Sequence, residues 1–159
     1  MSFLLPETLG ESLIMAMDDL EVIEAKPEFK ISIDDCWYQP MAGYTMVCLA
    51  GVVIAQRMVL DEDYRPLNDG SVFPSNCLDP RNRQRLLAID WIGYGAIQAA
   101  MDDFYGGHCG SPRTLKLKTE QREEWFIPVK ELVSTYGENP TKWKREMREI
   151  AAQLVNAGI

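Results

Sequence analysis

The 159-residue sequence holds one histidine, His108, and four cysteines, Cys36, Cys48, Cys77 and Cys109, with no C-x-x-C pair among them. A tetrahedral zinc site draws on four closely spaced nitrogen or sulfur ligands. No metal and no other cofactor is therefore expected. Long hydrophobic runs are missing too: nothing approaches the ~18 apolar residues of a spanning helix, so no membrane association is expected. The first ten residues, MSFLLPETLG, have no basic residue ahead of their apolar patch, and Pro6 interrupts it. That is not a secretory signal. The expectation is a chain in the host-cell cytoplasm with reduced thiols. Basic residues are scarce at the start. Residues 1–80 carry fourteen Asp and Glu against four Lys and Arg, in a chain of net charge −8. Phosphate contacts need a basic face, so direct nucleic-acid binding is excluded. G-x-S-x-G, P-loop, G-x-G-x-x-G and H-E-x-x-H motifs are all absent, which removes the motif-defined hydrolase and nucleotide-binding classes.

What is present suits one globular domain, residues 1–159. Apolar content of 47% and charged content of 25% are ordinary for a soluble protein. Leu9, Leu13, Met17, Leu20 and Ile23 recur at helical spacing after Pro6 and Glu7, and Pro27 ends that helix. Asp18, Glu21 and Glu24 fall on its outer face. Phe29, Ile31 and Ile33 alternate with polar residues, as in a short strand. From Tyr44 to Ala55 the chain is apolar nearly all round. Periodicity alone leaves helix or buried strand open there. The 12-residue length favours a helix, with Thr45 as its N-cap and Gly51 facing another helix, one candidate being Gly93.

Residues 61–80, DEDYRPLNDGSVFPSNCLDP, read as a long acidic irregular segment. Asp79-Pro80 then opens a long helix. Leu86, Ile89, Ile92, Ala96, Ala100 and Phe104 form its stripe, with Trp91 beside it in the core. Leu115 and Leu117, between lysines, read as an edge strand. Residues 128–137 read as a short helix. Asn139 or Thr141 caps a last helix whose buried stripe is Trp143, Met147, Ile150, Leu154 and Ala157. The fold class is α+β and predominantly α-helical: about four helices around a central apolar helix, with a short β-strand pair.

Candidate chemistry is sparse. Cys48, near a predicted helix start, could be a thiolate nucleophile, and His108 is the one histidine available to it. Cys109 adjoins His108 in GGHCGS. A cysteine-dependent hydrolase or transferase would use Cys48 or Cys109 with His108. The plainer reading makes Cys48 a small core residue and GGHCGS a glycine-rich helix stop. Asp61, Glu62, Asp63 and Asp69 in the acidic segment, Asp18 and Glu21 on the first helix, and Trp125 in EEWFIP form the candidate binding set.

The segments CWYQP and YTMVCLAGVVIAQRM, then LLAIDWIGYGAIQAA and the terminal AGI, resemble a set of small proteins encoded by bacteriophages and prophages. The resemblance implies a phage or mobile-element accessory protein and implies no catalytic residues. On that footing the expected activity is protein–protein binding, in the form of an acidic inhibitor of a host nucleic-acid-handling or defence protein. The partner would be a host or phage protein with a basic surface, and the chain a monomer or homodimer. A virion structural or assembly role is the other non-enzymatic alternative.

Overall fold

The structure is a computed structural model, and it describes residues 3–33, 37–58, 64–66, 72–74, 79–105, 115–119, 122–126 and 129–159. Among the described residues are five α-helices, a π-helix, a three-stranded sheet and two two-stranded hairpins. The α+β, mainly helical expectation holds.

Helix α1 (Leu9–Glu24) buries the stripe read from its sequence: Leu9, Leu13, Met17, Leu20 and Ile23 are all enclosed. Each such side chain contributes about 1.5–3 kcal/mol on burial. The helix starts three residues beyond Pro6, because Thr8 caps it through Oγ1 to the Glu11 amide. Two further free amides at this end find distant acceptors. Leu9 donates to the Tyr105 hydroxyl at 3.0 Å and Gly10 to the main-chain oxygen of Ile159 at 2.9 Å. Helix α5 (Pro140–Asn156) packs along α1. Its N-cap is Asn139, with Pro140 in the first turn, and Trp143, Met147, Ile150 and Leu154 are buried while Ala157 is half-buried.

After α1 come β1 (Phe29–Ile31), β2 (Tyr38–Pro40) and β3 (Thr45–Val47). Strand β3 lies in the middle, parallel to β1 and antiparallel to β2. Helix α2 (Leu49–Val53) follows at once and runs into the π-helix Ile54–Met58. The expectation of one helix from Tyr44 to Ala55 is thus corrected. Thr45 opens a strand rather than capping a helix, and the β-branched Thr45 and Val47 suit a pleated, half-buried position. Cys48 stands at the N-cap of α2 and makes no side-chain cap bond. All five α2 residues are buried, so the central apolar helix is real but short.

Gly51 is small for a different reason from the one expected. A Cβ there would fall 1.5 Å from the carbonyl oxygen of Trp37, not against Gly93. Gly93 instead faces Leu49 and Ile33 at ordinary contact distance. In the π-helix, Arg57 forms a two-pronged ion pair with the buried Asp19 of α1 at 2.8 and 2.9 Å. Burial pushes the Asp19 carboxyl up and the Arg57 bonds pull it back, while the same bonds raise Arg57.

Three further expectations change, and the strand at Leu115 and Leu117 holds. Within residues 61–80, β4 (Tyr64–Pro66) pairs antiparallel with β5 (Val72–Pro74), so that segment is not wholly irregular. The long helix from Asp79 is two, α3 (Pro80–Gly93) and α4 (Ile97–Tyr105). Leu115 and Leu117 lie in β6 (Leu115–Thr119), which pairs with β7 (Arg122–Phe126) in a hairpin separate from the sheet of β1. Residues 129–135 form no helix. There the α5 side chains take the main-chain donors that a helix would have used: Gln153 accepts from the Lys130 amide and Glu146 from those of Val133 and Ser134.

Candidate functional site

The end of α3 decides what the molecule presents. Tyr94 is the C-cap and Gly95 takes the left-handed conformation at φ +84°, which costs glycine nothing. The Gly95 amide then reaches the Ile92 oxygen at 2.8 Å, and the Ala96 amide reaches the Trp91 oxygen at 2.9 Å. That paired closure is a Schellman motif. It stops α3 and sends the chain back as α4, packed against α3.

Two apolar columns result on α3. Leu86, Ile89 and Gly93 face inward; Leu87, Trp91 and Tyr94, spaced i, i+4, i+7, stand 37, 38 and 46% exposed. Trp91 is therefore at the surface and not in the core, at its edge against α4. The Trp91 indole N–H donates to the Asp103 carboxylate of α4. The Tyr94 ring meets Trp91 edge-on, with centroids 6.4 Å apart at 62°. The indole is exposed yet fixed, and Asp102, next to Asp103 in α4, is also exposed. The sequence signal was there: α3 carries apolar residues on two columns, and a helix in a small domain needs only one for its core.

Tyr94 also borders a groove of about 480 Å³ between the end of β1 and the extended segment Leu132–Thr135. Its walls include Ile31, Ile33 and Leu132, and among the described residues Glu138 is the one charged wall residue. Glu146 holds the outer wall in place. Its carboxylate takes the Ser134 hydroxyl at 2.6 Å and the two amides named above, and these bonds lower its pKa to about 2.

The catalytic candidates fare differently. Cys48 is fully buried, and burial together with the neighbouring Asp90 carboxyl pushes its thiol well above the ordinary range. A nucleophilic thiol needs the opposite shift and access. The buried position, beside Asp90 at the start of the short helix α2, agrees with the plainer reading of Cys48 as a core residue. Asp90 accepts from the Trp37 indole at 3.3 Å, and burial raises its own pKa. His108 and Cys109 lie outside the described residues.

Of the binding candidates, Asp61, Glu62, Asp63 and Asp69 lie outside the described residues. Asp18 and Glu21 both meet Arg148 of α5, at 2.8 and 3.2 Å, and Glu24 meets Lys144 at 2.7 Å. The acidic face of α1 is thus set against the basic face of α5. Trp125 lies in β7, opposite Lys116 of β6. Among the described residues no group of three or more His, Cys, Asp or Glu could hold a metal ion, and no helix is long and apolar enough to cross a membrane. Comparison with protein families, curated proteins and solved structures returns no match.

Proposed function

We propose that the protein works by binding another protein, through the surface of α3 centred on Trp91 and Tyr94. The observation that carries this reading is an exposed tryptophan held in one orientation by Asp103 and Tyr94. Tryptophan, tyrosine and arginine supply most interface hot spots, and an anchor fixed before contact loses little freedom on binding. The site has acid beside aromatic faces. That combination attracts an arginine or lysine side chain, by cation–π contact and by charge. Net charge −8 draws a basic partner from a distance.

With the resemblance to phage and prophage proteins, this supports an accessory protein that occupies the basic surface of a host nucleic-acid-handling or defence protein. The acidic residues Asp61, Glu62, Asp63 and Asp69 would add to the same attraction. The test is affinity capture from host cells with the parent protein and a Trp91→Ala/Tyr94→Ala variant, folding being checked by circular dichroism. The parent retains a specific partner that high salt releases. The variant loses it, since truncating a hot-spot aromatic costs about 2 kcal/mol or more, about thirtyfold in affinity. A partner held equally by both proteins would refute the assignment of the surface.

A further inference from the structure

The groove beside Tyr94 has one wall with an unusual property: it is an open strand edge. Strand β1 is at the margin of the sheet, paired on one side with β3. The register gives Thr45 opposite Phe29 and Val47 opposite Ile31, with the Thr45 amide bonded to the Glu28 oxygen and the Ser32 amide to the Val47 oxygen. In a parallel ladder this commits the main-chain groups of residues 28, 30 and 32 to β3. Those of Phe29, Ile31 and Ile33 point the other way. The Phe29 amide is taken by the Lys26 oxygen. Among the described residues, no main-chain bond takes the Phe29 oxygen or either main-chain group of Ile31, and Ile31 and Ile33 line the groove.

Proteins usually cover, charge or bulge such an edge to prevent pairing. Here the one lysine of β1, Lys30, has its ammonium over the Tyr44 ring at 6.0 Å. The facing segment Leu132–Thr135 turns its donors at Val133 and Ser134 to Glu146, so it does not close the slot. It leaves Val133 75% exposed.

The charge of the slot has one sign. Among the described residues no lysine or arginine lines it, Glu138 does, and the carbonyl end of α3 arrives at Gly93 and Tyr94. A helix C-terminus favours cations.

We infer that this slot binds an extended segment of the partner, which adds to β1 as a fourth strand and places a basic side chain by Tyr94 and Glu138. The inference rests on the binding role proposed above and names the form of the partner. Main-chain bonds to Ile31 would give affinity, and alternate side chains would enter the slot or meet solvent. The paired stretch is short, three residues or about 10 Å, so the aromatic face of Trp91 and Tyr94 supplies the rest of the contact.

The test uses the full chain and fluorescein-labelled hexapeptides of alternating valine and arginine. One form is unmodified, two carry backbone N-methyl groups in one or the other alternating register, and one has glutamate for arginine. Fluorescence anisotropy should show saturable binding of the unmodified peptide. One N-methylated register should weaken it more than tenfold while the other is tolerated, and the glutamate form should also lose more than tenfold. Exchange of the Ile31 amide, followed by NMR, should slow when the unmodified peptide is present. Equal binding of both N-methylated registers, no binding by the unmodified peptide, or unchanged Ile31 exchange would overturn strand addition. None of those results touches the capture experiment. A partner lost by the Trp91→Ala/Tyr94→Ala variant would still support the binding role, whereas peptide binding with no dependence of partner capture on those aromatics would fail that role alone.

Discussion

Gly51→Ala is the sharpest perturbation this structure offers. The added Cβ would sit 1.5 Å from the Trp37 oxygen, 2.7 Å from its carbonyl carbon and 3.0 Å from the Val47 Cβ. The obstacle is main chain, so no side-chain rotation relieves it. The Trp37 carbonyl would have to retreat by roughly 2 Å to reach normal carbon–oxygen contact. It accepts from the Cys48 amide at 3.4 Å, and its own indole is tied to Asp90. Overpacking of this kind costs about 1–3 kcal/mol, and a buried amide left without its acceptor costs about 1–3 kcal/mol more. Alanine recovers about 1 kcal/mol in a helix interior. The net is a loss of about 3 kcal/mol, or ~6–12 °C in Tm for a chain of this length. Gly93→Ala is the matched control, because its new Cβ would meet nothing closer than 3.6 Å. It should be neutral or slightly stabilising. Urea denaturation followed by circular dichroism reads both. Equal stability of Gly51→Ala and the parent, or an equal loss in the two variants, would refute the close approach of Trp37 to α2.

Glu146→Gln should destabilise the protein at pH 7 with a deficit that vanishes in acid. The Glu146 carboxyl is lowered from 4.5 to about 2, so its contribution is present above pH 4.5 and lost as pH falls to about 2; a deficit independent of pH would show that the carboxylate charge plays no part. Asp90 behaves in the opposite sense. Its folded pKa is raised above 3.8, so its contribution is complete below pH 3.8 and declines as pH rises through the folded value. Asp90→Ala, which strands the Trp37 indole N–H, should cost about 1–3 kcal/mol, most at pH 4 and less at pH 8, as a pH series of urea midpoints would report. Arg57→Ala leaves Asp19 buried without its cation and should cost about 3 kcal/mol; a loss below 0.5 kcal/mol, the usual scale of a surface change, would mean that the pair is solvated. Native Cys48 should resist iodoacetamide at pH 8 and react once urea unfolds the chain; rapid alkylation of the native thiol would reopen its candidacy as a nucleophile.

Sequence pattern was a good guide wherever one local force decided the outcome. The α1 stripe, the Asn139-Pro140 start of α5 and the burial of Trp143 follow from spacing and capping alone. It was a poor guide wherever a distant group intervened. Residues 129–135 have the composition of a helix start, but side chains of α5 claim their amides. Thr45–Val47 is a strand because β1 and β2 lie on either side, which no window around Thr45 reveals. Gly51 is small because of Trp37, 14 residues away in the chain and on a loop with no periodicity. Gly93 and Gly95 inside the long helix read from Asp79-Pro80 permit a break, but the closure onto Ile92 and Trp91 needed the main-chain bonds.

The same distinction bears on where the protein makes contact. Charge counted along the chain sets an acidic half against a nearly neutral one, and Asp18 and Glu21 read as exposed acid. In the fold those residues face Arg148, and Glu24 faces Lys144. Exposed pairs of this kind add at most about 1 kcal/mol each, but they do absorb charge that counting assigns to a partner. A partner approaching α1 would have to displace a cation already seated there. At the end of α3, Trp91 and Tyr94 are exposed beside acid, and among the described residues no cation lines the adjoining slot. A basic partner would therefore gain more by meeting α3 than by meeting the more acidic helix α1.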